Sequence, residues 1–367
     1  MNFARYVIIL LLALPIANCQ TFRPRPHRLT AQITREGWID CFEPGLNDGK
    51  TWCEASAILA QRDRILLAND KDMPAPRSSV FSISRLLLTT PGPKQSRPVY
   101  SEQPLLRAAH KFEEFASSPD QQWVFLTTAF DRIRPGYADF HGYNLLFAWQ
   151  PGQETTPQLL GSNGNQESSL TLRCQLEKAL GNPAYFKVEG LAATSDRLWF
   201  GVREQGDSYE KFDYRITILS APYHTETGFG LGAMANQKRL MLGPITFMRD
   251  FNVADADAAL PKPLAISSLE FDPKRRCFWV LTSYERGNTL GAYLWTISEK
   301  DLLGNGNLQL VRTASGKPLQ FTHKAEDMTF TDPNTLLVIH DDDRVRTHIG
   351  TQERKPNQAA YSVVRIN

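Results

Sequence analysis

Five stretches of the chain carry one pattern: a short apolar run, a turn-forming break, and a second apolar run. They are Glu54–Lys71, Glu113–Phe130, Glu189–Gly206, Ser267–Glu285 and Glu326–Asp343, and they align without gaps. With the first residue of each counted as zero, position two is apolar in Phe115, Leu191, Leu269 and Met328, with Ser56 the exception. The break is built from turn residues such as Ser118-Pro119-Asp120, Thr194-Ser195-Asp196, Asp272-Pro273-Lys274 and Asp332-Pro333-Asn334. The second run is continuous: Ile65-Leu66-Leu67, Val124-Phe125-Leu126, Phe200-Gly201-Val202, Phe278-Trp279-Val280 and Leu337-Val338-Ile339. Two such runs around a turn predict a β-hairpin, and a second strand with no polar face predicts burial on both sides.

Each hairpin is followed by further strand-like sequence, for example Tyr143–Gln150, Tyr214–Ser220 and Gly291–Ile297. Three or four strands per unit, repeated five times without helical alternation, predict an all-β fold, a five-bladed β-propeller. Radial packing covers the faces and edges that a lone sheet leaves open. Six blades stay open if one long unit hides a degenerate blade. One insertion, Ser168–Leu180, reads as a short helix. The opening segment Leu29–Ile39 and the closing segment Ala360–Asn367 both read as extended and could pair to seal the ring.

The repeat also places polar groups. Position zero is Glu54, Glu113, Glu189, Ser267 and Glu326, and position fifteen is Asn69, Thr128, Glu204, Thr282 and Asp341. In an antiparallel hairpin these two positions meet at one sheet edge. With the first strand lining the channel, every unit delivers a polar pair to one mouth. Basic residues follow closely: Lys71, Arg132, Arg203, Arg286 and Arg344. Two readings compete. In one, each Glu locks a blade to its neighbour through a backbone donor or an Arg. In the other, converging carboxylates hold a hard cation such as Ca²⁺, which takes six to eight oxygens. Either way the carboxylates need compensation, because they raise one another's pKa. Asp341-Asp342-Asp343 is the densest acidic run, flanked by His340, with His323 before Glu326.

Composition narrows the field. The chain has 367 residues, 42% apolar and 22% charged, with a net charge of +2. It can bury a sizeable core, and no basic surface argues for nucleic acid. Residues 1–19 read as a signal peptide, with Arg5 before an apolar run from Tyr6 to Ala17, too short to span a bilayer. Residues 20–367 then form one propeller domain of a periplasmic or secreted protein. A lipid on Cys19 is the alternative, although Asn18 is a poor residue to precede it. In an exported chain Cys41 and Cys53 are close enough for a disulfide, leaving Cys174 and Cys277 as a second pair or as free thiols. No Cys/His spacing suggests zinc, no G-x-S-x-G elbow suggests a serine hydrolase, and the glycine cluster Gly228–Gly232 reads as an insertion loop.

Glu189-Gly190-Leu191-Ala192 followed by Leu198-Trp199-Phe200-Gly201-Val202-Arg203 resembles a bacterial propeller family of uncharacterised function, itself similar to the esterase-like phytase propellers. Glu326-Asp327 and Asp341-Asp342-Asp343 are counterparts of the E-G start and D-D-G-like ending of that family's last blade, and unit order matches across most of the chain after residue 50. Glu54-Ala55-Ser56 and Ser267-Ser268 lack the family's glycine, and Asp343 stands where a glycine is expected. The resemblance implies a propeller and permits a calcium-assisted phosphoester or ester hydrolase. Calcium-dependent lactonase propellers are a more distant likeness. The sequence thus sets up two expectations. In the first, the channel mouth binds a small anionic ligand. Glu54, Glu189, Glu326 and Asp341 hold Ca²⁺, Arg203, Arg344, Lys71 and Arg286 bind the anion, and Glu204 is the base. In the second, the protein is a non-catalytic binding or interaction propeller of the cell envelope.

Overall fold

A strand that is apolar on both faces needs a neighbour on each side, and the arrangement of sheets supplies one. The computed structural model describes residues 29–86, 97–133, 138–162, 168–227 and 238–367. The signal peptide, Cys19 and Gly228–Gly232 lie outside these residues. Each repeat opens an antiparallel sheet. Blade 1 comprises Ala55–Ala60, Arg64–Asn69, Val80–Ser84 and Val99–Tyr100. Blade 2 comprises Phe112–Ser117, Val124–Thr128, Leu146–Trp149 and Gln158–Leu159. Blade 3 has the long strands Tyr185–Ala193, Arg197–Ser208 and Lys211–Thr227, and Lys238–Leu242 and Thr246–Asp250 both pair with the last of these. Blade 4 comprises Ala265–Asp272, Cys277–Arg286 and Thr289–Ser298, with two short outer strands.

Blade 5 joins Ala325–Asp332, Thr335–His340 and Gln358–Ile366 to the N-terminal strand Ala31–Asp40. That strand pairs antiparallel with the C-terminal one, from Ala31 opposite Ile366 to Asp40 opposite Gln358. The ring is therefore sealed as the two extended termini predicted, and it has five blades, which removes the six-bladed alternative. The disulfide Cys41–Cys53, with Cα atoms 6.0 Å apart, ties the end of the sealing strand to the start of blade 1. Cys174 and Cys277 are both free, the first exposed and the second buried. The predicted insertion helix spans Leu170–Ala179. Among the described residues no helix is long and apolar enough to cross a membrane.

Alternate side chains of each second strand go to opposite neighbours. Trp199 packs against Phe278 of blade 4, whereas Phe200 joins Phe125 of blade 2. Leu336 and Val338 face blade 4, and Leu337 and Ile339 face blade 1. Five such clusters, one per blade junction, make up the core. Removing that much apolar surface from water is the main favourable term in the fold.

The five inner strands ring the axis, each packed against the inner strands on both sides. Their inner edges have no partner strand, so their backbone donors need another acceptor. Two buried carboxyls on the axis provide it. Asp327 accepts from the backbone N–H of Ile58 at 2.7 Å, Phe115 at 3.3 Å and Met328 at 2.5 Å. Glu114 accepts from Leu269 N–H at 2.8 Å and from Leu191 N–H. Ser268 Oγ bonds both, at 2.6 Å to Glu114 and 3.2 Å to Asp327. One equivalent N–H from every blade thus ends on this pair, and the pair plugs the channel midway. Burial, and after it the charge of Asp327, holds Glu114 well above the usual carboxyl range. Burial raises Asp327 to about 8 against the pull of its hydrogen bonds.

Candidate functional site

Just above the plug every inner strand carries a β-bulge, and this fixes which residues are equivalent. The pairing register skips Ser56, Glu113, Glu189, Ser267 and Glu326. Position zero is therefore Ser56 in blade 1, and Glu54 stands two residues earlier. The gapless alignment is corrected by two residues there: Asp63-Arg64 of the blade 1 turn matches Asp196-Arg197 of blade 3. A motif that the sequence reading missed lies just before three of the aligned stretches. Each blade with Glu at the bulge has Lys two residues before it: Lys111 and Glu113, Lys187 and Glu189, Lys324 and Glu326. Lys187 lies on the inner strand of blade 3, whereas Lys111 and Lys324 immediately precede the inner strands of blades 2 and 5, Lys111 with a left-handed φ of 54°.

These side chains form a recess at the mouth. Lys187 Nζ lies 3.2 Å from Glu113 and also pairs with Glu189. Arg203 Nη1 lies 3.1 Å from Glu189, and it donates to Ile266 O and Ser283 Oγ on blade 4. Lys324 Nζ is 2.9 Å from Glu326 and 3.5 Å from Asp343. Lys111 lies between Asp131, at 3.5 Å, and Asp70, at 3.9 Å. Glu113, Glu189, Glu326, Arg203 and Asp341 are each 3–5% exposed, so the recess is nearly dry.

The carboxyls diverge electrostatically. Burial, and after it the charges of Glu189 and Asp70, hold Glu113 well above its ordinary value despite Lys187. Burial also raises Glu326 against the pull of Lys324. Glu189 feels the same burial, but Arg203 and then Lys187 outweigh it and lower its pKa. Lys187 in turn is held well above its ordinary value, because Glu113 and Glu189 overcome its desolvation.

The residues singled out from sequence are distributed unevenly. Glu189, Glu326 and Arg203 meet in the recess. Glu54 and Asp341 meet at its edge, where the seam between blades 5 and 1 brings them within 4.8 Å of Asp343. Burial, with Asp343 and Glu54 adding to it and Lys324 opposing, holds Asp341 well above its ordinary value. Lys71 lies 3.2 Å and Arg344 3.8 Å from Glu54, and both side chains are largely exposed. Glu204 accepts a hydrogen bond from Tyr185 Oη at 2.5 Å and lies 3.9 Å from Arg203. Arg286 donates to Lys262 O on the exposed end of blade 4 and pairs with none of the recess carboxylates. Asp343, where a glycine was expected, has a left-handed φ of 50°, a conformation that Asp tolerates better than most residues.

No protein-family model and no curated protein matches the chain. Solved structures share its outline. One is the PQQ-bound aldose sugar dehydrogenase of Streptomyces coelicolor, 10% identical, TM-score 0.41, covering 93% of this chain and 99% of that one. Another is an α-L-arabinofuranosidase from Podospora anserina, 10% identical, TM-score 0.44, covering 93% and 96%. A third is a glycosyl hydrolase from Bacteroides ovatus, 7% identical, TM-score 0.41, covering 85% and 84%. At these identities and scores the likenesses carry no information on activity.

Proposed function

We propose that the recess at the channel mouth is a hydrolytic site for a small polar substrate, with Glu113 as proton donor and Glu189 as proton acceptor. One observation supports this most: two carboxyls share a single ammonium, Lys187, and their surroundings shift their pKa values in opposite directions. Environments that push neighbouring carboxyl pKa values apart let one site hold an acid and a base at the same pH. In the reaction Glu189 takes a proton from water, and the water oxygen bonds to the ester or acetal centre. Glu113 delivers its proton to the departing oxygen as that bond breaks. Arg203, Lys111 and Lys324 line the same recess and give an anionic substrate group its counter-charge.

The test is a screen of p-nitrophenyl phosphates, acyl esters and glycosides. One class is expected to turn over with a bell-shaped pH profile. Glu113→Gln and Glu189→Gln should each lower kcat by roughly 10²–10⁴-fold, each removing its own limb of the profile. A correctly folded protein that turns over none of the three classes would leave the mouth as a lock between blades and the protein as a binding module.

A separate observation favours a bound cation, the convergence of Glu54, Asp341 and Asp343. Three carboxylates suit a hard ion such as Ca²⁺ in kind and provide part of its oxygen shell, with water for the remainder. Lys71, Lys324 and Arg344 reach the same carboxylates and would compete with it. When bound, Ca²⁺ would polarise a substrate oxygen at the edge of the recess. Melting in millimolar Ca²⁺ and in chelator decides this. At a concentration 100 times Kd the ion stabilises the fold by about 2.7 kcal/mol. Identical curves would remove the ion from the proposal and leave the acid–base pair untouched.

A further inference from the structure

A second polar pocket lies at the seam between blades 4 and 5, apart from the carboxylates of the recess. Its volume is about 550 Å³, within the range of small-molecule sites. Asn288, in the turn between the second and third strands of blade 4, forms one side. Thr322 and His323, which lead into the inner strand of blade 5, and the loop 344–348 form the rest. No acidic residue is among the described residues that line it, whereas Arg344 and Arg346 are.

One nearly buried side chain presents an unpaired nitrogen there. His323 is only 2% exposed. Its Nδ1 lies 2.6 Å from Asp342 Oδ2. Asp342 is fully buried and also accepts from Thr347 Oγ1 at 2.6 Å and from Lys324 N–H at 3.0 Å. A carboxylate surrounded by donors acts as acceptor, so Nδ1 carries the hydrogen and Nε2 the lone pair. Nε2 has no bond from any described residue and stays open to solvent. Trp38 meets the imidazole edge-on, with centroids 6.0 Å apart, so the ring is held on two sides. The arginines are only loosely engaged. Arg346 Nη1 lies 3.1 Å from Glu353 and Arg344 Nε 3.8 Å from Glu54, and both guanidiniums are largely exposed. Ion pairs so exposed contribute little, and both forks can take an incoming oxyanion.

We propose that this pocket binds a small anion that also carries a hydroxyl, either a protonated phosphate group or a hydroxy acid. The ionised oxygens accept from Arg344 and Arg346, and the O–H donates to His323 Nε2. A fixed acceptor in a basic pocket selects for that hydroxyl, because an anion without one sets a negative oxygen against the lone pair. The site does not rest on the acid–base pair at the mouth.

The probes are two pairs of anions that differ by a hydroxyl, phosphate against sulfate and glycolate against acetate, at pH 7. Histidine-ring NMR signals of the full chain read the site directly. The His323 signals should move and saturate with phosphate, with glycolate or with both, and whichever saturates identifies the ligand as a phosphate group or a hydroxy acid. The analogue without the hydroxyl should bind about tenfold more weakly, as expected for one lost hydrogen bond. Arg346→Ala, at an exposed side chain, should weaken binding about tenfold without lowering the melting temperature. Glu189→Gln in the recess should leave the His323 titration unchanged, which separates this site from the mouth. His323 signals that stay still with both phosphate and glycolate, or an Arg346→Ala titration that matches wild type, would overturn the site. Sulfate and acetate binding as tightly as their partners would overturn the role of Nε2 as acceptor.

Discussion

Asp327 shows how much one side chain can hold. Its carboxyl takes the inner-edge N–H groups of three blades and shares a hydrogen bond with Glu114. Asp327→Ala leaves these donors buried and unpaired, at about 1–3 kcal/mol each. A loss of roughly 4 kcal/mol or more in urea unfolding is expected, and a loss below 1 kcal/mol would show that water replaces the carboxyl. The pH dependence follows from the direction of the shift. The folded pKa, about 8, lies above the ordinary aspartate value of 3.8. The neutral form therefore favours folding, and its contribution is complete below about pH 4 and declines as pH rises through 8. Wild type should lose stability from pH 5 to pH 9, by a few kcal/mol from this group. Asp327→Asn cannot ionise and should show a visibly flatter profile over the same range. Parallel profiles would assign the pH dependence to other buried carboxyls such as Glu113.

At the scale of the element, the bulge and its glycine decide the geometry of blade 3. A Cβ on Gly190 would lie 2.9 Å from the backbone of Gly201 and 3.2 Å from Leu269 Cβ, and a Cβ on Gly201 would lie 2.6 Å from Ile266 Cδ1. Two strands and a neighbouring blade converge there with no room for a methyl group. Gly190→Ala should cost about 1–3 kcal/mol by overpacking, read as a shift in urea midpoint. Gly287→Ala tests the other use of glycine, since its φ is 57° and its Cβ would meet nothing, so only backbone strain is at issue. The E-G-L-A signature in the sequence is thus a packing constraint. The hairpins were legible because a strand buried on both faces loses the two-residue alternation and becomes a continuous apolar run. Blade 1 was misaligned because Glu54 matched the other glutamates by type, while the turn at Asp63-Arg64 set the register. The Lys-x-Glu motif of blades 2, 3 and 5 escaped notice for a different reason: its lysines lie two residues before the aligned stretches begin. The plug at Glu114 and Asp327 was hidden for another reason. Nothing in one strand's sequence says that its edge donors face an open axis, so a buried carboxyl reads as an ordinary surface acid. The cavity enclosed by the hairpin turns of blades 1, 2, 4 and 5, at the end of the axis away from the mouth, is assembled from residues distant in sequence, and no local pattern announces it.

For the whole molecule the critical place is where the circle closes. Every blade packs against two others, so no blade can leave without exposing two apolar junctions. Blade 5 alone draws on both ends of the described chain: three strands come from the C-terminal part, and the outermost is Ala31–Asp40. That outer strand is clamped by more than its ladder. Cys41 N–H bonds Asn357 O at 2.8 Å and Cys53 N–H bonds Pro356 O at 2.7 Å, so the disulfide loop sits on the turn that precedes the C-terminal strand. Buried Arg354 donates to Gln358 O and Asp343 O at 2.8 Å and also to Cys53 O, linking that turn to both the loop and the acidic corner. A disulfide across a sequence separation of 12 residues should stabilise the closed ring by about 3 kcal/mol, mainly by restricting the unfolded chain. Replacing both cysteines, Cys41→Ser with Cys53→Ser, is therefore expected to lower unfolding free energy by that amount. In a chain of this size the melting temperature should fall by several degrees. The transition should stay single, because the five junctions share their stability around the ring. Urea unfolding followed by tryptophan fluorescence, with Trp38 and Trp52 beside the closure, measures both quantities. A second transition confined to blade 5 would show that the ring opens locally before it unfolds, and that closure rests on the disulfide rather than on the strand pairing.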